Sequence, residues 1–181
     1  MDIHQLNPKE MKKFFLIGIV SALTIFSSCG DKGPEEVPVP LGMVACDLSE
    51  FGMDLIINIP DSTHGPTEKF TYGEGVQINV GKAFGIMIKP GTNEIEYMKS
   101  TEIGKSEVYK LDKYILDEPT AIIWSWGFEG QPTQNRLYCV VNVGDVTYEV
   151  MSDPNGEFSE EACKKMLECA RTLRAKTPAK S

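Results

Sequence analysis

Histidine is almost missing from this chain: there are two in 181 residues, His4 near the start and His64 in the turn-rich stretch PDSTHGP. A lone loop histidine cannot by itself assemble a zinc site or a Ser-His-Asp triad, and neither HExxH nor GxSxG occurs. His64 is therefore read as a solvated turn residue. Basic residues are also few, 18 Lys and Arg against 26 Asp and Glu, a net charge of −8. That balance argues against nucleic acid or an anionic membrane surface as a partner. No apolar run reaches the roughly 18 residues of a spanning helix; the longest, Phe14 to Phe26, has 13 and is relieved by Gly18, Ser21 and Thr24. There is no CxxC, the cysteine spacings form no metal pairs, and no repeat is visible. No cofactor or metal is expected.

What is present begins with an address. Lys12 and Lys13 precede the apolar run, and Ser27 and Ser28 follow it, the order of a secretory signal. Cys29 comes next, and small residues directly before a cysteine at the end of such a run resemble a bacterial lipobox. The resemblance implies that Cys29 is acylated and becomes the mature N-terminus, anchoring the protein in a lipid bilayer. One acyl chain, at roughly 0.8 kcal/mol per buried CH2, holds only marginally, whereas two or more anchor stably. Phe26 departs from the usual leucine three positions before the cysteine. Met1 to Glu10 carries acids and a proline ahead of the lysines, which suits an n-region poorly, and translation is expected to start at Met11. After Cys29 the stretch GDKGPEEVPVPLG reads as a tether too polar and too rich in glycine and proline to fold. Acids just past the lipidated cysteine also resemble surface lipoproteins of the Bacteroidota. The expected organisation is leader 1–28, tether 29–42, one domain 43–176 and a tail 177–181. The expected location is the bacterial cell envelope, on the outer membrane, facing the periplasm or the exterior.

The domain alternates. MDLIINIP places Leu55, Ile57 and Ile59 on one face, GVQINV places Val76, Ile78 and Val80, and FGIMIK places Phe84, Ile86 and Ile88. GTNEIEYMKSTEIG changes period and reads as a short helix, with Asn93 and Glu96 as a capping box and Gly104 as its stop. SEVYKLDKYIL and TAIIWSWGF are strands again, and RLYCVVNV and VTYEVM form a hairpin about Gly144-Asp145. The last element is a helix capped by Ser159, with Ala162, Met166, Cys169, Ala170 and Leu173 on its inner stripe. Hairpins dominate, so the class is α+β with a mainly antiparallel sheet flanked by helices. LDEPTAIIWSWGF, LYCVVNVGDVTYEVMSD and FSEEACKKMLECARTLRAK, in this order, resemble the PsbP-like fold of extrinsic photosystem subunits and assorted bacterial lipoproteins. The likeness lies in element order, and no catalytic or metal residue carries over from it.

Cys46, Cys139, Cys163 and Cys169 make an even number in an exported chain, which permits disulfides. If the last helix covers Cys139, that residue is expected within bridging reach of Cys163 or Cys169; the alternative is buried thiols. SDPNGEFSEE is read as a turn feeding the last helix, and Asp117 and Glu118 as a solvated turn. Trp124, Trp126 and Phe128 share a face with Ile122, and core packing is the expectation for that stripe because the opposite one, Ala121, Ile123 and Ser125, is smaller. Wherever the stripe reaches solvent, Trp124, Trp126 and Phe128 are the candidate contacts for a ligand or partner. The resulting functional reading is a non-enzymatic envelope lipoprotein that presents an interaction or accessory domain to an envelope protein or small molecule. The alternative is a small-ligand binder, for carbohydrate for example, or a hydrolase whose site is scattered. Two convergent acids near Trp124 or Trp126 would favour the hydrolase.

Replacing Cys29 by Ala is expected to move the protein from the detergent fraction to the soluble one. An unmodified protein found soluble and without acyl mass would refute lipidation.

Overall fold

A computed structural model describes residues 38–106, 109–128 and 130–176. The leader, Cys29, most of the tether and the tail lie outside the described residues. Among the described residues ten strands form two sheets. The small sheet has the order β1-β2-β10, from β1 (Met43–Asp47), β2 (Leu55–Pro60) and β10 (Arg174–Ala175). The large sheet has seven strands: β3 (Thr67–Tyr72), β4 (Gly75–Val80), β5 (Phe84–Pro90), β6 (Lys110–Glu118), β7 (Ala121–Gly127), β8 (Gln134–Val143) and β9 (Val146–Ser152). Their spatial order is β3-β4-β5-β9-β8-β7-β6, and every pairing is antiparallel. Two meanders, β3-β4-β5 and β6-β7-β8-β9, are thus joined side by side through β5 and β9.

Alternation decides which face each strand turns inward. Leu55, Ile57, Ile59, Val76, Ile78, Val80, Phe84, Ile86 and Ile88 all enter one core, as their spacing implies. The lid of that core is α2 (Glu160–Ala170), which buries Cys163, Met166, Leu167, Cys169 and Ala170. Ser159 caps it by accepting from the Ala162 amide at 3.1 Å, and Glu160 and Glu161 sit in the positive first turn. Beyond α2 the chain returns along β2: Thr172 Oγ1 accepts from the Asn58 amide at 2.8 Å, and Arg174 donates to Asn58 Oδ1 at 3.2 Å. The hairpin at Gly144 forms with φ +59°, a value favouring glycine. At Gly81 a Cβ would stand 2.4 Å from the His64 carbonyl oxygen, so only glycine lets the β2–β3 loop lie across the β4–β5 turn.

Three expectations are corrected. First, the helix after β5 is not started by a capping box. It comprises α1 (Ile95–Tyr97) running into a π-helical segment (Met98–Ile103), and no side chain caps it. The Asn93 amide is already engaged by Glu149 Oε1 at 3.0 Å, which fixes Asn93 to the sheet ahead of the helix. Gly104 does close the segment, donating to the Lys99 carbonyl at 2.8 Å. Second, no disulfide forms: Cys46, Cys139, Cys163 and Cys169 are free and buried, packed as small apolar groups. Third, the stripe of β7 that meets α2 is the small one, with Ala121, Ile123 and Ser125 at most 2% exposed. Of the large stripe only Ile122 is fully buried; Trp124 and Trp126 are half-buried and Phe128 is 46% exposed. The close approach of α2 to the sheet leaves room only for the smaller row. Strands β1, β3 and β10 had no strong pattern: β3 is almost wholly exposed at an edge, and β10 has two residues.

Burial pushes the thiols of Cys139, Cys163 and Cys169 from 9.0 up to about 12. The folded protein keeps these protons where the unfolded chain loses them. Their contribution is therefore intact below about pH 9 and falls above it, by up to about 1.4 kcal/mol per pH unit for each thiol. Urea unfolding between about pH 8 and 11 should show that decline, with a shallower slope for Cys139→Ala. A flat profile would contradict it.

Candidate functional site

The face of the large sheet away from α2 is only partly covered. Its floor follows from register. Met87 on β5 stands opposite Met151 on β9, Met151 opposite Tyr138 on β8, and Tyr138 opposite Ile122 on β7. One row of side chains thus crosses four strands. In the next row Trp124 stands opposite Arg136, and Tyr114 of β6 opposite Trp124. A second, smaller core gathers here, with Ile95, Ile103, Ile122 and Tyr138 buried and Met98, Trp124 and Met151 packed against them.

The helical segment stands over this face because two buried polar side chains hold its entry. Tyr138 donates its hydroxyl to the Asn93 carbonyl at 2.9 Å, and Glu149, 2% exposed, accepts the Asn93 amide and pairs with Lys89 at 3.2 Å. Gly91 permits the approach, since a Cβ there would fall 2.1 Å from Glu149 Oε1. Burial, with the charge of Glu149 second, pushes the Tyr138 phenol up, so it stays a neutral donor.

Between the helical segment and the floor lies a groove of about 410 Å³, within the roughly 300–1,000 Å³ of ligand pockets. Met87, Met151, Tyr138 and Trp124 line it below; Met98 and Ile103 wall one side, and Tyr109 and Leu111 reach it from the approach to β6 and its start. Glu102 and Arg136 are its charged groups. No pair of acids converges beside Trp124 or Trp126 among the residues lining it. A wider depression of about 740 Å³ adjoins it at the 127–134 loop and shares Trp126, while one of about 590 Å³ is bordered by Glu94, Glu96, Asp117, Glu118 and Lys99. The methionine-lined groove is the candidate site because strands and a helical segment, rather than one surface loop, build its walls.

The three aromatic candidates part company here. Trp126 is enclosed: Tyr109 meets it edge-on at 4.4 Å, Phe128 at 5.7 Å, and the Arg136 guanidinium carbon lies 5.1 Å from its ring centroid. A ring so occupied is a poor sugar platform, because the cation holds its π face. Phe128 closes the cluster with Tyr109 at 5.7 Å and lines the wider depression, not the groove. Trp124 is the tryptophan that packs on the second core and lines the groove without such a cage among the described residues.

Arg136 was not singled out by sequence, although the alternation of RLYCVVNV places it with Tyr138, opposite Leu137 and Cys139. It is 9% exposed and makes no ion pair among the described residues. Its Nη1 donates to the carbonyls of Asn135 and Gly156, its Nη2 to Gln134 Oε1 and the Pro154 carbonyl. Burial pushes it below the ordinary guanidinium value, an effect opposed by Cys163, Asp153, Tyr109 and Glu157, but a guanidinium stays charged. Asp153 in the same turn is spoken for: Gln77 donates to its Oδ2 and the Asn155 amide to its Oδ1, each at 2.9 Å. His64 lies on an exposed 3-10 turn, 3.3 Å from Asp61, away from the groove lining. Among the described residues no three His, Cys, Asp or Glu side chains gather as a metal site. Asp117 pairs with Lys99 at 2.5 Å and Glu118 with Arg171; both are the last residues of β6 rather than a turn, which falls at Pro119-Thr120.

Comparison of the chain with protein-family models, curated proteins and solved structures finds no match.

Replacing Arg136 by Met removes the fork that ties the 153–158 turn to β8. A loss of about 2–3 kcal/mol is expected, in line with hydrogen bonds to a charged group. Urea unfolding measures it, and limited proteolysis should cut first within 153–158. Unchanged stability would show that the fork is dispensable.

Proposed function

We propose that this chain is an envelope lipoprotein whose domain binds a small, largely apolar ligand without transforming it. One observation carries the reading: the groove beneath the helical segment, lined by Met87, Met98, Met151, Trp124 and Tyr138, on the sheet face that α2 leaves open. Methionines suit such a role because their flexible thioethers adapt to the shape they meet. Trp124, with its half-buried indole, is the anchor. The enclosed ring of Trp126 favours this over a carbohydrate platform, and the missing acid pair in the groove favours it over glycoside hydrolysis. The polar leader, apolar run and Cys29 support lipid attachment at a bacterial outer membrane, with residues 29–42 as a tether. The order of strands, short helix, strands and final helix supports the PsbP-like assignment, for which no residue-level signature is needed by the binding argument.

Native mass spectrometry of the protein released gently from its own membrane tests the reading. A non-covalent small-molecule adduct is expected, and it should be lost in Trp124→Ala. An adduct indifferent to Trp124, or turnover of a substrate abolished by Glu102→Gln with the fold intact, would overturn it.

A further inference from the structure

The groove carries a charge that no described neighbour neutralises by pairing. Arg136 lies in its wall, nine-tenths buried, stacked on Trp126 and bonded to four neutral acceptors. The carboxylates that act on it most, Asp153 and Glu157, stand outside ion-pair distance, and Asp153 gives both oxygens to Gln77 and Asn155. The groove's other charge, Glu102, is exposed, so water and salt screen it, whereas a buried guanidinium acts through a less polarizable surround. All four Nη hydrogens are used within the fold. Nε makes no bond among the described residues. A ligand in the groove can therefore feel the charge without breaking the fork that holds the 153–158 turn.

We propose that the ligand is an amphipathic organic anion: a free monocarboxylate with a medium-length acyl chain, its chain over Met87, Met98, Met151 and Trp124 and its carboxylate toward Arg136. This rests on the binding reading above and adds the charge selectivity. An apolar floor with one buried cation rewards a molecule having both characters, while a neutral chain loses the electrostatic part and a cationic one meets repulsion. The groove's volume, toward the small end for ligand sites, suits one short chain rather than a diacyl lipid.

Both tryptophans of the chain, Trp124 and Trp126, line this groove, so intrinsic tryptophan emission reports on it, and Trp124→Ala separates it from the adjoining depression that shares Trp126. The full chain is reconstituted in phosphatidylcholine vesicles, which contain no tryptophan, and titrated with decanoate, decanol and decyltrimethylammonium. Decanoate is expected to bind at least about tenfold more tightly than decanol, with no saturable change from the cation; that ratio corresponds to about 1.4 kcal/mol. In Arg136→Gln the decanoate preference should fall to about twofold or less, and Arg136→Lys, which keeps the charge, should retain most of it. Circular dichroism of each variant establishes that it is folded. Equal binding of decanoate and decanol by the parent protein would overturn the charge selectivity and leave the apolar groove standing. Saturable binding that survives Trp124→Ala unchanged would place the ligand elsewhere and overturn the proposal, and no binding of any probe would overturn the binding reading with it.

Discussion

The pairing of β5 with β9 makes one sheet of two meanders. Ile86 to Pro90 run against Ser152 to Tyr148, residues far apart in sequence, whereas each meander by itself is built from neighbours. Both cores depend on that seam. On one face it brings Ile86 and Ile88 under α2 beside Val150; on the other it sets Met87 against Met151 and gives the groove its floor. Loop-closure entropy makes such a pairing slow to form, while the local hairpins come early. The seam is the step at which the chain commits to its two-sided architecture.

The polar residues at the seam are as specific as the apolar ones. Glu149 sits beside the Lys89 strand, buried, and its two bonds to Asn93 and Lys89 satisfy a charge that would otherwise be costly to bury. Tyr138 completes the hold on Asn93. The helical wall of the groove is therefore hung from the sheet by hydrogen bonds rather than by its own capping, which explains how so short an α-helical turn keeps its place.

Much of the sheet was legible because its inward residues recur every second position, and α2 because cap, charges and apolar stripe agree. The groove was much less so. Period two says that Ile122, Trp124, Trp126 and Phe128 share a side; it does not say which side meets α2, because both stripes of β7 are apolar at their start. The answer depends on how closely a helix some forty residues later can approach. Asn93 misled for a related reason: its spacing from Glu96 suits a capping box, but its amide was claimed by a glutamate on another strand. Arg136 carried a visible signal in the alternation of β8, yet two of its four acceptors, the Pro154 and Gly156 carbonyls, come from a turn whose course no local pattern fixes.

The two borders of the large sheet differ. The outer strand β6 shifts register against β7 between Leu111 and Lys113 and again between Tyr114 and Leu116. A strand offset in this way presents no continuous row of amides and carbonyls, so a neighbouring molecule finds no template there for cross-chain growth. β3, at the opposite border, pairs with β4 without interruption over six residues and relies on charge, Glu68 and Lys69, to discourage additions. For molecules packed side by side, the β6 border is closed to strand exchange by its geometry, and the β3 border is guarded only as well as salt allows.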